Sequence, residues 1–245
     1  NMPEKFDLDR MRVFMGQLNH PEQRYPVIHV AGTKGKGSIS AFCASALQAA
    51  GYKVGLYTSP HLQDYAERIQ INGVPIPHAD IVQLVNEFPP LLGENTKLTT
   101  FEITTALAFQ YFHRQGANAV VAEVGLGGRL DATNIVTPLV SVIASISYDH
   151  TQVLGNTLSE IAAEKGGIIK PGVPVVVSPQ KEEAFRAIEK IASERASWLV
   201  RIGQDYYYRG VRHNLDGQAL DVCWKNLTDT EAKIRLNIPL LGEHQ

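Results

Sequence analysis

Apolar and polar positions change period along the chain, and each change marks an element. Leu8, Met11, Phe14, Met15 and Leu18 recur at helical spacing, which predicts an amphipathic helix over residues 7–18 that ends at Asn19, His20 and Pro21. Val27, Ile28 and Val30 then form a short apolar run that predicts a buried strand. Gly32, Gly35 and Gly37 break it, and a helical pattern runs from about Ile39 to Ala50 before Gly51 stops it. Tyr52 to Thr58 reads as a second strand that empties into Ser59-Pro60-His61. Residues 67–76 alternate around Asn72-Gly73, the pattern of a hairpin. Residues 79–88 and 101–114 are helical in pattern. Asn118 to Val124 and Leu139 to Ile146 are apolar nearly throughout, as strands covered on both faces are. They lead into Gly125-Leu126-Gly127-Gly128-Arg129 and into Ser147-Tyr148-Asp149-His150. A helix at about Leu158–Lys165, a strand at Val173–Val177 and a helix at Glu182–Ser193 follow.

Strands that alternate with helices predict an α/β fold: three layers, a mostly parallel sheet, and helices on both faces. The pattern shifts after Ser197. Short alternating runs and an Asp216-Gly217 turn predict a small antiparallel sheet within 198–238, so the chain reads as a 1–197 α/β core and a 198–245 β subregion. Trp198, Tyr206, Tyr207, Tyr208 and Trp224 lack a basic surround, so packing explains them better than base stacking.

Composition narrows this picture only by exclusion. The 245 residues suffice for one large core, or for a domain with a small addition. A formal net charge of −2 gives no reason to expect a nucleic-acid or membrane partner. No signal-peptide pattern and no apolar run of bilayer length is visible, so a reducing cytosol is the expected location. Cys43 and Cys223 lie too far apart for a metal or redox motif, and Cys43, on the apolar helix, is expected to be a buried thiol.

The chemistry gathers around VIHVAGTKGKGS, residues 27–38. A strand, a glycine-rich turn and a helix N-terminus make a cradle for phosphates: Gly35 and Gly37 let amides approach the oxygens, Lys36 adds mobile charge, and Ser38 a hydroxyl. The spacing is shorter than G-x-x-x-x-G-K-[ST], so the general motif is met only loosely. In a parallel sheet, Ser59, Glu123 and Asp149-His150 would reach the same edge, since each follows or ends a strand. Hydroxyl, carboxylate and imidazole around a triphosphate suit a divalent cation. Mg²⁺ prefers oxygen, so the imidazole of His150 keeps Mn²⁺ open. Glu123, inside NAVVAEVG, stands out because an unpaired buried carboxylate is costly.

Seven segments, AGTKGKGS, YTSPHL, ERIQING, FEITTALAF, EVGLGGRLDATN, SYDHT and AAEKGGIIKPG, occur in this order. Together with the terminal LLGEHQ they resemble the folylpolyglutamate synthase/dihydrofolate synthase branch of the Mur ligase superfamily. The resemblance implies a ligase in which ATP phosphorylates a pterin-linked carboxylate and L-glutamate attacks the acyl phosphate. It implies that Gly35, Lys36, Gly37 and Ser38 bind ATP, that Ser59, Glu123 and His150 hold Mg²⁺, and that Lys36, His150 and Lys165 are catalytic. It further implies that Lys165 is carbamylated and so supports a second Mg²⁺. Phe101-Glu102 and Leu130-Asp131-Ala132 match its pterin-holding segments. Dihydropteroate or tetrahydrofolate is the implied acceptor, and a monomer is expected. Lys34 stands where many relatives have asparagine; stronger phosphate binding and simple solvation both stay open. Relatives also carry a C-terminal domain that helps bind glutamate, and no segment here matches it. Two other readings remain: a nucleotide-binding module without turnover, and a sister ligase for a cell-wall precursor.

Overall fold

The computed structural model describes residues 7–88, 98–225 and 231–240. Its elements follow the predicted order. Helix α1 is Asp9–Gln17, strand β1 Val27–Ala31, α2 Lys36–Ala49, and β2 Val54–Tyr57. The hairpin is β3 Ile69–Ile71 and β4 Val74–Pro75, followed by α3 His78–Glu87 and α4 Thr100–Arg114. Then come β5 Ala119–Glu123, β6 Val140–Ile143, α5 Thr151–Leu154, α6 Leu158–Gly166, β7 Val175–Val177, α7 Glu182–Glu194 and β8 Leu199–Arg201. Strands β9 Tyr206–Asn214, β10 Gly217–Lys225 and β11 Glu231–Ile238 close the series.

Eight strands form one sheet in the order β4-β3-β2-β5-β1-β6-β7-β8. The pairings from β2 to β8 are parallel, while the β3–β4 hairpin is added antiparallel at one edge. Side-chain alternation assigns the faces. On β5, Val120 and Ala122 join a core with Met11, Phe14 and Met15 of α1 and Phe109 and Phe112 of α4. Val121, between them, points the other way and packs with Ala44 of α2, Val30 of β1 and Val54 and Leu56 of β2. A third cluster joins Ile161 of α6 and Ile188 of α7 to Ile143, Val175 and Val177. Both sheet faces are therefore covered, and β1 and β5 at the centre read as apolar runs for that reason.

Three expectations change. Helix α2 starts at Lys36, not near Ile39. Gly35 adopts φ 86 as its N-cap, and the first turn, Lys36-Gly37-Ser38, is polar, so apolar periodicity shows only one turn later. Second, residues 199–201 belong to the main sheet: β8 pairs in parallel with β7, and the α/β core ends at Arg201 rather than at 197. The small antiparallel sheet is β11-β10-β9 alone. Trp198 is 73% exposed, whereas Tyr206 and Trp224 stack with centroids 5.9 Å apart. Third, Cys43 is half-buried, because it lies at the flank of α2's contact with the sheet; Cys223 is the buried thiol. Among the described residues no helix is long and apolar enough to cross a membrane. The end of LLGEHQ, residues 241–245, lies outside the described residues.

Candidate active site

Strands β2, β5, β1 and β6 are neighbours, so their C-terminal ends share one edge of the sheet. Glu123 ends β5 in register with Val30 of β1, immediately before the glycine-rich loop. Gly32 passes so close to the end of β6 that a Cβ there would lie 2.6 Å from Cβ of Ala144. The Thr33 amide donates to Ser145 O at 2.8 Å and its hydroxyl to Ser147 O at 3.2 Å. The loop is thus tied to β6 by its first half, and its second half becomes the first turn of α2. The first-turn amides of that helix have no intrahelical acceptor and carry the positive end of its dipole.

Four predicted groups meet here. Lys36 Nζ lies 3.9 Å from Glu123 Oε1. The Ser59 amide donates to Glu123 Oε2 at 3.3 Å, and a Cβ on Gly37 would sit 3.8 Å from the same oxygen. Burial pushes the Glu123 carboxyl above the usual carboxylate range, and the Lys36 ammonium pulls it back. Lys165, in the last turn of α6, is 4% exposed and donates from Nζ to Gly32 O at 3.0 Å. Burial, and then the charge of Lys36, lower its pKa to about 8. The carboxylates of Asp149 and Asp131 act on it in the opposite sense.

His150 caps α5 at φ 48, its ring is 58% exposed, and its ionic neighbour is Asp149 at 3.6 Å. Among the described residues no three His, Cys, Asp or Glu side chains gather into a metal-binding group. The half-buried Ser59 and the buried Glu123 carboxylate still suit a hard cation that takes few protein ligands and fills its shell with phosphate and water. Lys34 and Ser38 are exposed at the loop surface.

Beside this edge lies a cavity of about 230 Å³. All five predicted substrate residues, Phe101, Glu102, Leu130, Asp131 and Ala132, line it. Glu102 is buried, completes a capping box with Thr99 at the start of α4, and pairs with Arg10 at 3.2 Å. Both oxygens of Asp131 are engaged. Oδ2 accepts from the amides of Gly125 (3.0 Å) and Leu126 (2.9 Å), and Oδ1 from the Thr133 amide at 2.9 Å and from its hydroxyl. Sequence reasoning missed Arg10, which also lines the cavity, and Thr33; each acts across a sequence gap that leaves no local pattern.

Residues 30–245 match the family model described as the Mur ligase middle domain. The chain is 47% identical over 196 residues to a dihydrofolate synthase/folylpolyglutamate synthase of Bacillus subtilis, covering 78% of this chain and 46% of that protein. It is 36% identical over 247 residues to a folylpolyglutamate synthase of Lacticaseibacillus casei, covering 98% and 56%. A solved folylpolyglutamate synthase in complex with AMPPCP and folate superposes with a TM-score of 0.89 at 33% identity, over 100% of this chain and 60% of that one. The chain thus spans about half the length of the curated relatives it matches.

Proposed function

Because the chain belongs to the Mur ligase middle-domain family, we propose that it is the ATP-binding part of a ligase that joins L-glutamate to a folate or dihydropteroate carboxylate. The observation that carries this reading is the meeting of Lys36, Glu123, Ser59 and Lys165 around the N-terminus of α2. The complex of a relative with AMPPCP and folate supports the same pair of ligands.

The reaction brings two anions together, a carboxylate and a triphosphate. The first-turn amides of α2 and the Lys36 ammonium offset that repulsion and favour charge on the transferring phosphoryl group. Glu123 holds Lys36 toward the loop and keeps the Ser59 turn against it. Ser59 and Glu123, with His150 on the family resemblance, are the residues that would hold Mg²⁺. The ion would supply Lewis-acid stabilisation of phosphate oxygens. Lys165 is the residue for carbamylation: its amine is neutral more often than an ordinary lysine's, and only a neutral amine adds CO₂, releasing one proton. The cavity lined by Phe101, Glu102, Leu130, Asp131 and Ala132 is the acceptor's place. A monomer in a reducing cytosol fits this reading.

The complete protein, given ATP, Mg²⁺, glutamate and either dihydropteroate or tetrahydrofolate, releases ADP in step with acceptor consumption. Absence of ADP with both acceptors overturns the proposal. ADP release with a cell-wall precursor instead moves the protein to a sister ligase.

A further inference from the structure

His29 lies in the strand that feeds the phosphate loop, and it has no role in the reaction described above. It is fully buried. Its Nε2 is 2.8 Å from Thr133 Oγ1. The Thr133 hydroxyl has one proton, and it gives that proton to Asp131 Oδ1. Nε2 must therefore be the donor in its bond to Thr133, which fixes the Nε2–H tautomer. Nδ1 then carries a lone pair, and it is buried without a hydrogen-bond partner. Burial, with a further push from the ammonium of Lys170, lowers the His29 pKa to about 3, so the ring stays neutral.

The bonds continue toward the cavity. Asp131 Oδ2 accepts from the Gly125 and Leu126 amides, the first two residues after Val124. Gly125 in turn lies against Phe101 with no room for a side chain between them: a Cβ there would lie 2.4 Å from Phe101 Cζ. A shift of this turn by a few tenths of an ångström therefore moves the aromatic wall of the cavity.

We propose that His29 is a positioning residue for the acceptor: through Thr133 it holds Asp131 on the Gly125 and Leu126 amides and so sets the wall of the cavity beside the phosphate loop. The proposal rests on the reading of that cavity as the acceptor site. A histidine there for packing alone would tolerate leucine.

The test uses the complete protein with His29→Leu, His29→Gln and Thr133→Val, the last keeping side-chain shape while cutting both hydroxyl bonds. Nitrogen NMR of the wild type shows the proton on Nε2. In His29→Leu and Thr133→Val the Gly125 and Leu126 amides exchange with solvent about tenfold faster, the loss expected for one hydrogen bond. The KM for acceptor rises severalfold while the KM for ATP holds. His29→Gln, whose amide keeps a donor, stays near the wild type. A proton on Nδ1, unchanged amide exchange in Thr133→Val, or KM values for ATP and acceptor that move together would each overturn it. Wild-type protein that consumes no ATP with folates refutes the functional reading alone, because the tautomer and the exchange rates still decide the relay.

Discussion

Lys36 Nζ and Glu123 Oε1 face each other at 3.9 Å across the gap between α2 and β5, both largely shielded from solvent. One comes from the phosphate loop and the other from the neighbouring strand, so the pair ties the two halves of the site together. A carboxylate this buried needs a cationic partner to stay ionised.

Glu123→Gln removes that charge with little change of shape, and the amide oxygen still accepts from Ser59. Turnover of ATP falls by about 10²-fold, the scale of losing one electrostatic stabiliser, while thermal melting stays near the wild type. Coupled ADP assays and calorimetric melts check this. Unchanged turnover takes Glu123 out of the site.

Lys165 titrates at about 8, below its ordinary 10.5. The folded state favours the neutral amine, so the unfolded chain binds more protons between pH 8 and 10.5, and this group's contribution to stability rises with pH across that window. The proposed carbamylation would follow the same neutral fraction. Activity falls in CO₂-stripped buffer and returns with bicarbonate, and Lys165→Met abolishes the response. Plain lysine density in crystals grown with nucleotide and bicarbonate argues against the modification.

His29 gives an acid-side signature. Its folded pKa of about 3 lies below the ordinary 6.5. The unfolded chain therefore binds more protons between those values, and stability is lost as pH falls from 6.5 toward 3. Burial raises the Glu123 and Asp131 carboxyls, which contribute with the opposite sign in the same region. In urea titrations at pH 4 to 7, His29→Gln flattens the slope. A slope equal to the wild type's means that His29 is already charged when folded.

Asp131→Asn replaces one of the two accepting oxygens by an NH₂ and leaves two of the four donors without an acceptor. The cost is about 1–3 kcal/mol, or a drop in melting temperature of roughly 3–10 °C for a domain of this size. Acceptor binding weakens with it, because the Gly125 turn loosens against Phe101. Melting curves and acceptor titrations read both effects.

The sheet was legible because strands buried on both faces write themselves as apolar runs, as in Val120-Val121-Ala122. The site edge was legible because parallel strands end on one side, and Ser59, Glu123 and the loop follow or end strands. The start of α2 was not, since its first turn faces away from the core and carries no apolar period. Nor were the partnerships. Arg10–Glu102 spans 92 positions and His29–Thr133 spans 104, and periodicity holds no information at that range. His150 was readable by its place after a strand, but its φ of 48 and its pairing with Asp149 leave no trace in the hydrophobic pattern.

The bond from Lys165 to Gly32 O joins residues 133 positions apart. During synthesis, the phosphate loop, Ser59 and Glu123 leave the ribosome well before α6. A nascent chain of that length has the glycine-rich turn but not the amine that lies on it, and such distant contacts form late because chain closure must precede them. The glycine-rich turn is therefore pinned only when the last helices of the core arrive, rather than when the loop itself forms.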